Sequence, residues 1–183
     1  NWNDNQGPFS FSTTLTTYDQ GGGRNDASLT LTPPVTAVSD AIDLVTTAVG
    51  AAEDAAASIS LTLANPEDGA ASQVVGGKVY IRLDESAMES AGGSLSFAGS
   101  VVAPTAVSGI PGVPDGNYYV LTGVGSSANL ALAYQAAANA SGVVTYTAYV
   151  QGQETGAGNV TTTSVTGSFA VNPVNDGVAL AVL

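Results

Sequence analysis

Fifteen carboxylates share this 183-residue chain with three cations, and neither histidine nor cysteine is present. That inventory narrows the available chemistry. A Ser–His–Asp or thiolate mechanism has no partners to work with, and the usual transition-metal ligands are missing. Hard oxygen is what remains, and it selects calcium or magnesium over zinc or copper. Asp40, Asp43, Glu53, Asp54, Glu67 and Asp68 fall in connections between predicted strands, where a β-sandwich gathers several loops at one end. Calcium needs roughly six to eight oxygens from converging carboxylates, amides and carbonyls. Asp40, Glu53, Asp54, Glu67, Asp68 and Asp176 are therefore the candidate Ca2+ ligands. Acidic turn residues that serve only solubility are the plain alternative. In either case a formal charge of −12 has to be relieved by solvent, separation or bound cations.

Other chemistries fit less well. Glycoside hydrolysis would need a carboxylate pair such as Asp84 with Glu89 or Asp115 with Glu154, and nothing in the sequence sets their separation. No enzyme is expected. Gly21-Gly22-Gly23 is not followed by Gly-Lys-Ser/Thr, so it is no phosphate loop. Asp19, Asn25 and Asp26 around it read as a hairpin tip. Tyr118, Tyr119, Tyr134, Tyr146 and Tyr149 could form a platform for sugar, but alternation along a strand sends one of two neighbouring rings into the core. Arg24, Lys78 and Arg82 are the only basic residues, which excludes nucleic acid and anionic membrane surfaces as partners. The sequence has no apolar run of about 18 residues and no basic, apolar leader. It reads as a segment cut from an exported, extracellular protein.

The elements that must position these residues are strands. Hydrophobic residues make up 44% of the chain and charged residues 10%, a balance that folds. Apolar residues recur at period two in Phe9, Phe11 and Leu15, in Leu29 and Leu31, and in Ile59, Leu61 and Leu63. They recur again in Val79, Ile81 and Leu83, in Leu95 and Phe97, in Leu130, Leu132 and Tyr134, and from Val144 to Val150 and Val165 to Val171. Glycine and proline punctuate them, as at Gly76-Gly77 and Pro114-Asp115-Gly116. This pattern predicts an all-β antiparallel sandwich of immunoglobulin-like or cadherin-like type. Ala-rich stretches at 48–57, 84–91 and 128–140 invite a helix. The last alternates and is expected to be a strand, while Asp84 to Glu89 could form one helical turn.

An internal repeat organises the whole. Thr17-Tyr18-Asp19-Gln20-Gly21-Gly22-Gly23-Arg24-Asn25 runs on to Val35-Thr36-Ala37-Val38-Ser39-Asp40-Ala41. It recurs as Val150-Gln151-Gly152-Gln153-Glu154-Thr155-Gly156-Ala157-Gly158-Asn159, running on to Val171-Asn172-Pro173-Val174-Asn175-Asp176-Gly177. The offsets agree, since 154 − 19 is 135 and 176 − 40 is 136. A period of this kind marks a chain built from similar units. Residues 1–40 are read as the C-terminal hairpin of a preceding or split module, and 41–183 as one complete repeat.

The tail Val171-Asn172-Pro173-Val174-Asn175-Asp176-Gly177 resembles the "V-x-P-V-N-D-x" ending of cadherin-like repeats in large bacterial RTX-type adhesins. Ala52-Glu53-Asp54-Ala55 resembles the "E-D-T/A" that opens the next repeat, and Asn65-Pro66-Glu67-Asp68-Gly69 its "D-x-D-G" calcium turn. Val113-Pro114-Asp115-Gly116 and Ala140-Ser141-Gly142-Val143-Val144-Thr145 are similar to two further motifs of the family, in the same order. The resemblance implies calcium-bound modules strung in tandem on the bacterial cell surface. Their partners would be neighbouring repeats of the same adhesin and an inserted glycan-binding domain. Asn65 stands where the family's turn has its first aspartate, and Ser39 where its ending has Asn. Two other readings stay open, a lectin-like carbohydrate-binding domain and a strand-exchanging pilus or filament subunit.

Overall fold

The computed structural model describes residues 9–34, 38–65, 72–154 and 157–175. These form strands and no helix. β1 (Phe11–Tyr18) and β2 (Arg24–Leu31) make a hairpin. There follow β3 (Asp43–Val49), β4 (Ala51–Ala52), β5 (Ala57–Ala64), β6 (Ser72–Met88), β7 (Ser94–Phe97), β8 (Ser100–Val102) and β9 (Pro104–Val107). β10 (Gly116–Leu121), β11 (Ala128–Gln135), β12 (Gly142–Glu154) and β13 (Thr161–Asn172) complete the order.

Eleven of these strands build two sheets. One has the order β3-β5-β11-β7-β8 and the other β4-β13-β12-β6-β10-β9. β12 lies between β6 and β13, while β11 pairs with β5 in the opposite sheet. This is the crossed connectivity of an immunoglobulin-like sandwich. The alternation explains it. In β5, Ala57, Ile59, Leu61 and Leu63 are buried while Ser58, Ser60, Thr62 and Ala64 face out. Across the gap they meet Val79 and Ile81 of β6 and Val144, Tyr146, Ala148 and Val150 of β12, all essentially inaccessible.

Three stretches depart from the simplest reading. Gly76-Gly77 is not a turn but a bulge inside β6. Both glycines have positive φ (62° and 60°), and the pairing of β12 slips opposite them, between Val150 and Gly152. Such a bulge bends a strand without ending it. Residues 84–88 continue β6 as strand, so no helical turn forms there. The Ala-rich 48–57 stretch is strand on both sides of Gly50. There the chain crosses from β3, in one sheet, to β4, which pairs parallel with β13 in the other. A Cβ at Gly50 would strike the Ala170 carbonyl oxygen, so only glycine passes. The alternating 128–140 stretch carries β11, as expected.

A second, smaller core lies on the outer face of the six-stranded sheet. Tyr80, Tyr118 and Val113 pack there with Ile110 and Tyr149, beneath the 108–115 connection. Tyr118 is fully buried and its hydroxyl donates to the Pro114 carbonyl at 2.7 Å. Its neighbour Tyr119 points the other way and joins the main core.

The β1–β2 hairpin packs against neither sheet among the described residues. One face carries Phe11, Leu15, Leu29 and Leu31, between 44% and 66% exposed. The other is a ladder of hydroxyls and charge. Ser12 bonds Thr30 at 2.7 Å, Thr14 bonds Ser28 at 3.1 Å, Thr16 donates to Asp26 at 2.6 Å, and Arg24 pairs with Asp26 at 2.7 Å. Asp19 closes the tip by accepting from the Gly21 and Gly23 amides at 2.9 and 2.7 Å. The carboxylates around the three glycines thus serve the turn itself.

Candidate functional site

β13 runs the length of the sandwich, so its two ends define two poles. The proximal pole lies at the β12–β13 turn, where the chain comes in through Ser39 and Asp40. Ser39 is buried (3% exposed) and fixed on three sides. Its amide donates to Asn159 Oδ1 at 3.1 Å and its hydroxyl to the Asn159 carbonyl at 2.7 Å, while the Glu154 amide donates to Ser39 Oγ at 3.0 Å. Thr161 Oγ1 donates to the Asp40 carbonyl at 2.9 Å. Sequence reasoning did not assign this seat. The Ser39–Asp40 recurrence is the signal that leads to it.

Three described carboxylates, Asp40, Asp43 and Glu154, belong to that end of the strands without converging on one point. Asp40 is half-buried and Glu154 buried. Asp43 stands opposite Ala64, whose successor Asn65 holds a buried Oδ1 with no hydrogen-bond partner among the described residues. Glu67 and Asp68 lie outside the described residues, between Asn65 and Ser72, and Ser72 pairs with Glu154. A buried amide oxygen without a donor, on a segment flanked by carboxylates, is donor chemistry that fits a hard divalent cation.

Glu53 and Asp54 occupy the opposite, distal pole. Glu53 is 6% exposed. Its amide donates to the Asn172 carbonyl at 2.9 Å, its carbonyl accepts from Gln135 Nε2 at 3.1 Å, and its Oε1 accepts from the Val174 amide at 2.8 Å. One carboxylate oxygen is thus committed to holding the closing tail against the sheet. Asp54 is exposed in the adjoining turn. Asp176 lies just beyond the described residues. The described candidate ligands therefore lie at two poles instead of one, Asp40 at the first and Glu53 and Asp54 at the second, and no three carboxylates converge among the described residues.

The tyrosines do not make a flat platform. Tyr118, Tyr134 and Tyr146 are at most 1% exposed, and Tyr119 and Tyr149 are half-buried. Tyr149 borders an open groove of about 540 Å³ with Arg82, Asp84, Thr145 and Thr147. Burial raises the pKa of Tyr80, Tyr118 and Tyr119, and that of Tyr134 is raised by burial and by the Glu85 carboxylate its hydroxyl donates to. The neutral phenols are favoured by the fold, so their contribution is complete below the ordinary value of 10.0 and is lost as pH rises through the higher folded values. Melting temperature should hold steady to about pH 10 and fall above it, and Tyr134→Phe should flatten that alkaline slope.

No protein-family model matches the chain, and neither does any curated protein. Among solved structures it is similar to AggA, the major subunit of aggregative adherence fimbriae type I from Escherichia coli. The two are 11% identical with a TM-score of 0.35, over 76% of this chain and 98% of that one.

Proposed function

We propose that this chain is a non-enzymatic structural module of an extracellular bacterial adhesin, extending the molecule or carrying an inserted ligand-binding domain, with calcium stiffening its poles. One observation carries the reading. The chain comes in at one pole through Val38-Ser39-Asp40 and leaves at the opposite pole through Val174–Asn175, the copy of Val38–Ser39. Units with opposed ends stack into a line. A following unit would receive Asn175 and Asp176 at its own β12–β13 turn, as Ser39 and Asp40 are received here. Asp176 would then take the Asp40 position of the next unit, and Glu53 and Asp54 of its own unit would approach the next unit's Glu67 and Asp68 positions. That pooling supplies the carboxylate count that neither pole has alone.

Calcium bound to the folded chain and not to the unfolded one stabilises it by RT ln(1 + [Ca]/Kd). Extracellular sites bind on the order of 10⁻⁴–10⁻³ M. A ten- to hundredfold excess would then contribute about 1.4–2.7 kcal/mol, or roughly 3–10 °C in melting temperature. Calorimetric titration of the chain with CaCl2, and melting with and without EDTA, tests this. Absence of both heat and a melting shift would remove calcium from the reading.

A further inference from the structure

The hairpin, which packs on neither sheet among the described residues, is a copy of one that packs completely. Shifting β1 by 135 residues and β2 by 136 maps Phe11–Leu31 onto Tyr146–Gly167, Thr13–Leu29 onto Ala148–Val165, Leu15–Ala27 onto Val150–Thr163 and Thr17–Asn25 onto Gly152–Thr161. All eight are directly opposed pairs in their own ladders. The outer faces correspond too. The Ser12–Thr30 hydroxyl pair maps onto Thr147–Thr166, which are likewise bonded at 3.1 Å. A one-residue slip would exchange the two faces, so the agreement fixes which face was built to be covered. In β12 that face (Val144, Tyr146, Ala148, Val150) is sealed against the five-stranded sheet, whereas Phe11 and Leu15 in β1 are 48% and 66% exposed.

We propose that β1–β2 is the closing hairpin of a second sandwich of this topology, one that lacks its own β12–β13 pair. The partner is defined by the register. It presents the inner face of a five-stranded sheet to Phe11, Leu15, Leu29 and Leu31. It pairs the equivalent of β6 antiparallel to the free edge of β1, and the equivalent of β4 parallel to the free edge of β2. Two differences say how it departs from the sandwich described here. Leu31 replaces Gly167, across which the Tyr146 ring lies, and Phe11 lacks the hydroxyl that Tyr146 shares with Thr46 at 2.6 Å. The partner must leave room for the leucine and needs no hydroxyl opposite the phenyl ring. This rests on the modular reading above, yet the seat of Ser39 and the binding of calcium do not depend on it.

The test is a tandem chain in which a second copy of residues 41–141 is joined ahead of Gly7, the counterpart of Gly142 by the same offset. Residues 7–183 follow unchanged. Hydrogen exchange should show protection of β1 and β2 amides rising about a hundredfold or more over the parent chain. Leu15→Asp in the tandem should abolish that gain while the downstream sandwich melts as before. Because Leu31 could overfill this particular acceptor, a Phe11→Tyr/Leu31→Gly tandem restores the native pair. No protection in either tandem overturns the proposal. So does a dimer of the parent chain in sedimentation that Leu15→Asp dissociates, which would give the face to a second copy of the same hairpin.

Discussion

Tyr146→Ala should cost the sandwich about 3–5 kcal/mol, while Phe11→Ala at the matched hairpin position should change its stability by no more than about 0.5 kcal/mol. Tyr146 is 1% exposed, its ring lies 6.2 Å from that of Phe169, and its hydroxyl bonds Thr46 across the two sheets. Truncation opens a cavity between the sheets and leaves Thr46 without that partner. Phe11 has comparable chemistry and an identical place in its ladder but no sheet over it among the described residues. Urea denaturation followed by circular dichroism measures both. Equal losses would mean that the hairpin and the sandwich unfold as one unit.

Glu85→Ala should be nearly as damaging, at about 2–4 kcal/mol. One carboxylate receives three donors, the Tyr134 hydroxyl at 2.5 Å and the Gly92 and Gly93 amides at 2.7 and 3.1 Å. It thereby ties the end of β6 to the turn before β7 and to β11. Removing it strands the phenol of a fully buried ring. Tyr134→Phe removes one donor and keeps the ring, so it should cost only about 1 kcal/mol. If the two variants melt together, the glycine amides contribute nothing and the carboxylate serves the tyrosine alone. Local sequence offers Glu85 only a place in a candidate helical turn from Asp84 to Glu89. Its partners come from residues 7, 8 and 49 positions away, which local patterning does not reach.

The strands with one buried face were readable because sandwich cores impose period two. β5 and β11 follow their alternation from end to end, and β12 follows it as far as Val150, beyond which Gln151 and Gly152 are both buried. β6 was harder, since two glycines with positive φ look like a turn whether the chain reverses there or merely bulges. Tyr118 was harder still. It is buried on the outer face of its sheet by a loop, a placement that inverts the alternation rule while appearing to obey it. The candidate ligands were legible as residue types but not as places. Spacing shows that Asp40 and Glu53 both lie in connections, and only the topology shows that β3 and β4 carry the chain from one pole to the other between them. Glu53 illustrates the limit. As a carboxylate it looks like a metal ligand, and in the fold one of its oxygens already holds the backbone of Val174.

The short parallel pairing of β4 with β13 decides how this body answers a pull on its two ends. Ala51 and Ala52 run alongside Val171 and Asn172 in the same direction. Tension between Asp40 and Asn172 drags the first strands one way and the last strand the other. The bonds between them are then loaded in shear and must fail together, whereas an antiparallel pair pulled from one end opens one bond at a time. A unit wired in this way gives little until it breaks.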